Sequence, residues 1–295
     1  MYLNKRWLTM FKNILVPISS EFYAKEVLIR SATLAKKFKS PITLIYIIEE
    51  KTLNQTDKYS DVYRTHIERL ETRREIIKEQ KLAADTIVFE DAKRFFEARG
   101  IPLEEKIVKG EFSEVIKSEL NNKPYDLIVM RYERGCTLNY RLFDDSSVSI
   151  WVEAKCSGNK ILAVCSNLAP NQKVPEISIA LSKILKWNVF MIYVVDVQDA
   201  VIVDAQGRRS EVKSEEDLMA KADEFVSEMR KRKIQVKLVK GSLEKETVKA
   251  ATEVEPGLVI VGREQKKQTM LGLPVKSVKK KMAEQCCGYS ILFVN

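Results

Sequence analysis

The chain has 295 residues, of which 45% are hydrophobic and 31% charged, and its formal net charge is +9. Length and apolar content supply cores for two ordinary domains, and no apolar run approaches the roughly 18 residues of a membrane span. A single histidine, His66, in a strongly charged helical pattern argues against a Ser/His/Asp triad or a histidine metal cluster, and five cysteines without C-x-x-C spacing argue against a disulfide or zinc framework. The first nine residues lack the long apolar segment of a signal peptide. With an odd cysteine count, the expected compartment is a reducing cytoplasm.

In chain order, Lys12 to Ile18 is a short apolar run closed by Ser19-Ser20, which are placed to cap a helix from Glu21 to Lys39. Ala24, Val27, Leu28, Ser31, Leu34 and Ala35 share one face of that helix, and Pro41 ends it. Ile42 to Ile48 then reads as a strand covered on both faces. From Asp61 to Arg99 a charged helical pattern follows. Its second part, Ala84 to Phe96, is expected to pack, while Asp61 to Gln80, with ten charged residues in twenty, is expected to project or fray. After Lys109-Gly110 come a helix Phe112 to Leu120, a strand Asp126 to Met130, a loop, and a helix Ser146 to Lys155.

The second half repeats the first. Ile14 aligns with Ile161 and Ser19 with Ser166, both 147 residues apart, and the match runs without a gap through the helix Pro175 to Lys186 and the strand Trp187 to Val195. A small hairpin around Asp204-Ala205-Gln206-Gly207 and a helix Glu215 to Arg232 follow. Lys240-Gly241, a helix Leu243 to Ala251, a strand Gly257 to Val261 and a helix Ser277 to Gln285 then match the first half at an offset of 131. Strands alternating with helices make right-handed βαβ units, so each half is expected to be a doubly wound, parallel-sheet α/β domain. The expected domains are 11–158 and 159–295. Asn159 to Ser166 also resembles Ser290 to Asn295, the end of the chain. It reads as one strand serving as the second domain's centre, which predicts only four strands before Asn159 and an edge covered by Ser290 to Val294.

In an open parallel sheet, ligands bind beyond the carboxyl ends of the strands, where helix N-termini offer free N–H groups to anions. The places to inspect are the turns after the first strand (Pro17 to Ser20; Val164 to Asn167), after the third (Gly110; Gly241), and the loops after the fourth (Arg131 to Ser146; Gly262 to Ser277).

On Lys12-Asn13-Ile14-Leu15-Val16-Pro17-Ile18-Ser19, Lys109-Gly110, Tyr125-Asp126-Leu127-Ile128-Val129-Met130 and Gly257-Leu258-Val259-Ile260-Val261-Gly262, the chain resembles the universal stress protein family in a tandem form. The resemblance implies a Rossmann-like, adenine-nucleotide alpha-hydrolase-like sheet of order 3-2-1-4-5 in each domain, and dimer-like pairing of the two. It also implies an ATP site made by an aspartate after the first strand and a loop of the form G-x2-G-x9-G-S/T. Both halves depart from that pattern. Ser19 and Ser166 stand at the aspartate position. The glycine positions read Arg131, Gly135 and Asp145, then Ser146, in the first half, and Gly262, Lys266 and Lys276, then Ser277, in the second. Side chains there block the close backbone approach that glycine allows, and Asp145 would face a polyphosphate with like charge.

The expected function is therefore a non-catalytic binding or regulatory module with degenerate nucleotide pockets and no cofactor. The alternative is an ATP- or AMP-binding switch or slow ATPase built on Gly262, Lys266, Lys276, Ser277 and Ser166, with the set of Ser19, Gly135 and Ser146 inactive. The basic stretch from Arg263 to Lys281 lacks aromatic residues to stack bases, so nucleic acid is not the expected partner. A protein partner held by the Asp61 to Gln80 arm and a homodimer stay open.

Overall fold

The computed structural model describes residues 10–19, 22–49, 75, 79, 90–132, 142–143, 146–156, 158–263 and 288–295. In the first of two units, Met1–Leu142, the apolar run Ile14–Ile18 is β1, buried along its whole length as expected of a strand covered on both faces. Helix α1 (Lys25–Phe38) buries Val27, Leu28, Ser31, Leu34 and Ala35, the face that the spacing predicts. Its start differs from the expectation: the N-cap is Ala24, without a side-chain cap bond, so the assignment of the cap to Ser19-Ser20 is corrected. Ser19 stays at the end of the strand, where its carbonyl accepts the Phe22 N–H at 3.2 Å, and the helix begins only after that turn.

The unit continues with β2 (Ile42–Glu49), α2 (Glu90–Glu97), β3 (Leu103–Gly110), α3 (Phe112–Asn122) and β4 (Leu127–Arg131). Strand β1 pairs in parallel with β2 and β4, and β2 with β3, giving the order β3-β2-β1-β4. The Asp126 carboxylate accepts the N–H groups of Lys12 at 2.9 Å and Asn13 at 3.0 Å, tying the start of β1 to that of β4. In α2, Phe96 is fully buried, as expected of the packing part of the long helical pattern. The proposed arm, 61–80, lies outside the described residues apart from Glu75 and Glu79.

In the second unit, Phe143–Asn295, the elements are β5 (Ser149–Glu153), β6 (Lys160–Ser166), α4 (Lys173–Leu185), β7 (Asn188–Val195), α5 (Glu215–Lys231), β8 (Val236–Lys240), α6 (Leu243–Val254), β9 (Leu258–Gly262) and β10 (Ser290–Val294). Their parallel order β8-β7-β6-β9-β10 is the expected 3-2-1-4-5. The hairpin forms as a single antiparallel bridge, Val203 to Arg209, and Ser214 and Asp217 cap α5 reciprocally.

Two expectations about the middle of the chain are corrected. Residues 149–153 are a strand, β5, where a helix from Ser146 to Lys155 was expected, so five strands precede Asn159, not four. Strand β10 lies between β9, to which it is parallel, and β5, to which it is antiparallel. Both of its edges are used within its own unit, so it does not serve as the cover for the fourth strand. The physical reason lies in the run Ile150-Trp151-Val152, whose β-branched and aromatic side chains favour a pleated surface. Trp151 and Glu153 then share one face, and the indole N–H donates to Glu153 Oε2 at 2.6 Å. Ser290 Oγ donates to the same oxygen at 3.0 Å, so the buried carboxylate has its partners.

The repeat extends to backbone conformation. Helices α1 and α4 end on Lys39 (φ 57°) and Lys186 (φ 59°), both in the left-handed region that costs a residue with a Cβ about 1 kcal/mol. Lys39→Gly and Lys186→Gly are each expected to stabilise their unit by about 0.5–1 kcal/mol, read as a rise in the urea midpoint at unchanged slope.

Candidate functional site

The crevice at the carboxyl ends of the strands is assembled differently in the two units. In the first, Ser19 is fully buried. Phe22, which follows β1, stacks on Phe112, which opens the helix after β3, with centroids 4.2 Å apart and planes 29° apart. Since β2 lies between β1 and β3, the stack joins the segments that follow the two neighbours of β2, and both rings are fully buried. The α3 N-terminus is capped by its own sequence, Glu111 Oε2 accepting from Glu114 N at 2.9 Å. Ser146, expected to end the first half's phosphate loop, falls in the second unit, where it is buried and closes a local turn: its hydroxyl accepts the Val148 N–H at 3.1 Å and donates to the Val148 carbonyl at 3.0 Å. Gly135 lies outside the described residues.

In the second unit, Ser166 is 2% exposed. Its Oγ accepts the Leu168 N–H at 3.2 Å, and its backbone is clamped on both sides by the Asn171 amide, at 3.1 and 2.8 Å. This hydroxyl therefore shapes its own turn. Asn167, one residue on, does the larger structural job. Its amide nitrogen donates to the carbonyls of Asp196, Asp199 and Val201, and its Oδ1 accepts the Asp196 N–H at 2.7 Å.

The N-terminus of α6 follows Gly241, whose φ of 153° favours glycine, and where a Cβ would also come within 2.9 Å of the Glu246 side chain. The helix's N-cap, Ser242, makes no side-chain cap bond. Instead Asp196 reaches over from the end of β7, and its Oδ2 accepts the Leu243 N–H at 2.8 Å. An anion is favoured at a helix N-terminus by free N–H groups and the helix dipole. Here the protein supplies that anion itself.

Of the residues expected to make a residual nucleotide site, Gly262 is described, at the end of β9. A Cβ there would stand 3.2 Å from Ala169 Cβ and 3.4 Å from both the Pro170 carbonyl and Val174 Cγ2. The turn after β6 thus takes much of the room that the glycine leaves. What remains is a cleft of about 300 Å³ lined by Gly262, Lys173, Arg263 and Asn295 among others. Lys173 donates to the Asn295 main-chain oxygen at 2.7 Å. Lys266, Lys276 and Ser277 lie outside the described residues, so the structure brings Ser166 and Gly262 to the same end of the sheet and says nothing of the other three. Asn167, Asp196 and Lys173 were missed as site residues in the sequence. The signals for the first two were present, because Asn167 closes the first-strand turn and Asp196 matches Glu49 at the repeat offset.

Among the described residues no group of three or more His, Cys, Asp or Glu could hold a metal ion, and no helix is long and apolar enough to cross a membrane. Cys165 is buried beneath the crevice, and desolvation pushes its thiol well above the ordinary range. It is a packing residue.

Parallel strand order, intervening helices and a crevice at the carboxyl ends define the class as doubly wound α/β protein. Residues 10–157, half of the chain, match the universal stress protein family, and the chain belongs to that family. Three solved structures span nearly its whole length. One is a functionally unknown protein from Pseudomonas aeruginosa PAO1, 12% identical, with a TM-score of 0.63, over 97% of this chain and 93% of that one. Another is a putative universal stress protein from Pseudomonas aeruginosa UCBPP-PA14, 12% identical, TM-score 0.61, over 97% and 94%. The third is a universal stress protein from Archaeoglobus fulgidus DSM 4304, 15% identical, TM-score 0.58, over 96% and 98%. At these identities the likeness is one of fold. No curated protein matches the chain.

Proposed function

We propose that the chain is a non-catalytic binding or regulatory module of the universal stress protein family whose nucleotide pockets are degenerate. One observation carries the reading: at α6 the position that favours a ligand's anion is held by the Asp196 carboxylate, 2.8 Å from the Leu243 nitrogen. A phosphate brought there would meet a like charge. The engagement of Ser166 Oγ with Leu168 N and the stacked Phe22 and Phe112 rings support the same conclusion in each unit. Under this reading the protein works in the cytoplasm without a cofactor and acts through protein contacts, the 61–80 segment being the first to test. Protein purified without added nucleotide and then denatured should release no stoichiometric ATP, ADP or AMP in mass spectrometry; stoichiometric release would overturn the proposal.

A second reading rests on the cleft beside Gly262, which has Lys173 and Arg263 in its lining. Two cations there suit an anion, as an ATP- or AMP-binding switch would require, with Lys266, Lys276 and Ser277 completing the loop. A rise in Tm with Mg-ATP that is lost in Lys266→Ala and Lys276→Ala would favour it. No shift in the unsubstituted protein removes it.

A further inference from the structure

A second cavity, of about 630 Å³, lies in the second unit between the start of α4, the hairpin after β7, and α5. It shares the Gln172 and Gln206 side of the hairpin with the smaller cleft but runs the other way, along α5 as far as Arg232. Its volume is in the range of small-molecule sites.

The floor is Tyr193 of β7. The residue is 1% exposed, its ring lies against Phe225 with centroids 5.0 Å apart, and Met229 continues the apolar wall. The phenol has no hydrogen-bond partner among the described residues. Among the described residues the sealed, unpaired side-chain atoms are Ser31 Oγ and Ser113 Oγ; the Tyr193 oxygen is not one of them, so it keeps some accessible surface, and the residue lines the cavity. Burial first, and then the nearby Cys165 and Glu224, hold its pKa above the ordinary value. A buried hydroxyl left without a partner forgoes a hydrogen bond that most such groups make, and a ligand entering here would supply it.

The charges set the ligand's sign. Four carboxylates line the cavity, Glu176, Asp204, Glu224 and Glu228, against two cations, Lys221 and Arg232. Three of the carboxylates are already neutralised: Glu224 by Lys221 at 2.5 Å, Glu228 by Arg232 at 2.8 Å, and Asp204 by Arg208 at 2.7 Å. Glu176, in the first turn of α4, has no partner among the described residues. The cavity therefore lacks one positive charge and offers aromatic faces, whose negative quadrupoles also attract cations. An anionic ligand, a nucleotide included, is disfavoured by the unbalanced Glu176.

From this geometry we infer that the cavity is a binding site for a small organic monocation, an ammonium or amidinium on an apolar body. The body lies over Tyr193, Phe225 and Met229, the Tyr193 hydroxyl hydrogen-bonds the ligand, and Glu176 balances its charge. The site is independent of the crevice at Gly262 and does not rest on the reading given for it.

The test uses the full chain and three probes of one shape: 2-phenylethylamine as its ammonium ion, neutral 2-phenylethanol, and anionic phenylacetate, titrated calorimetrically at low salt. Saturable binding is expected for the ammonium ion, with 2-phenylethanol weaker by about tenfold and phenylacetate without measurable heat. Glu176→Gln, an exposed change that leaves the core alone, and Tyr193→Phe, which keeps the ring, should each weaken the ammonium ion several-fold, while both variants keep the parent's circular dichroism. Equal binding of all three probes, no binding of the ammonium ion, or an affinity unchanged in both variants would overturn the inference.

Discussion

Gly257→Ala is expected to destabilise the second unit by about 3 kcal/mol or more, the upper range for forcing an atom into a filled site. A Cβ at position 257 would stand 2.0 Å from the Gly158 carbonyl oxygen and 3.1 Å from the Trp187 ring, and a backbone atom cannot step aside as a flexible side chain does. The strands around it are locked as well: Gly257 N donates to the Lys160 carbonyl at 2.9 Å, and Ser290 N donates to the Gly257 carbonyl at 3.1 Å. Relief at residue 257 would thus disturb the starts of β6, β9 and β10 together. The equivalent residue of the first unit is Asp126, 131 positions earlier, where a side chain is required because it accepts two N–H groups from the start of β1. Asp126→Ala should cost only about 1–2 kcal/mol. Of the three tryptophans, Trp151 and Trp187 lie in the second unit and Trp7 in the first, so tryptophan fluorescence in urea, read in a Trp7→Phe background, isolates the Gly257→Ala effect. A midpoint within error of the parent would contradict it.

Asn167→Ala should cost a similar amount, about 3 kcal/mol. The side chain is 1% exposed and donates to the carbonyls of Asp196, Asp199 and Val201 while accepting from Asp196 N. Truncation leaves the Asp196 N–H and the Val201 carbonyl buried without that partner, at about 1–3 kcal/mol each. The near-isosteric Asn167→Asp separates a hydrogen-bonding role from a merely space-filling one. It keeps the acceptor for Asp196 N but turns three donor contacts into a carboxylate facing carbonyl oxygens, so it should be no better than alanine. If Asp restored the parent's stability, the assigned network would be wrong. Either variant also loosens the segment that carries Asp196 to the start of α6.

The parts of the fold legible in sequence were those where one physical signal dominated. The covered strands β1, β2, β6 and β7 are continuous apolar runs, and α1 and α4 repeat one face at helical spacing, so a gapless offset was enough to find them. Strand β5 was misread because its five residues, Ser149-Ile150-Trp151-Val152-Glu153, carry polar groups at both ends. Their burial depends on partners far along the chain, such as Ser290 for Glu153. The likeness of the chain's end to Asn159–Ser166 reflected two buried strands of similar composition and gave no neighbour relation. At the candidate site, the loss of the aspartate at Ser19 and Ser166 was visible in sequence. What replaces it was not, because the Asp196 contact with Leu243 spans 47 residues and joins the end of β7 to the start of α6. The cavity over Tyr193 was hidden for the same reason, its walls coming from three separate elements.

The claim that the nucleotide pockets are degenerate is tested most directly by isothermal titration of the full chain with Mg-ATP and with AMP. No saturable heat is expected with either ligand. A micromolar affinity for either one would contradict it.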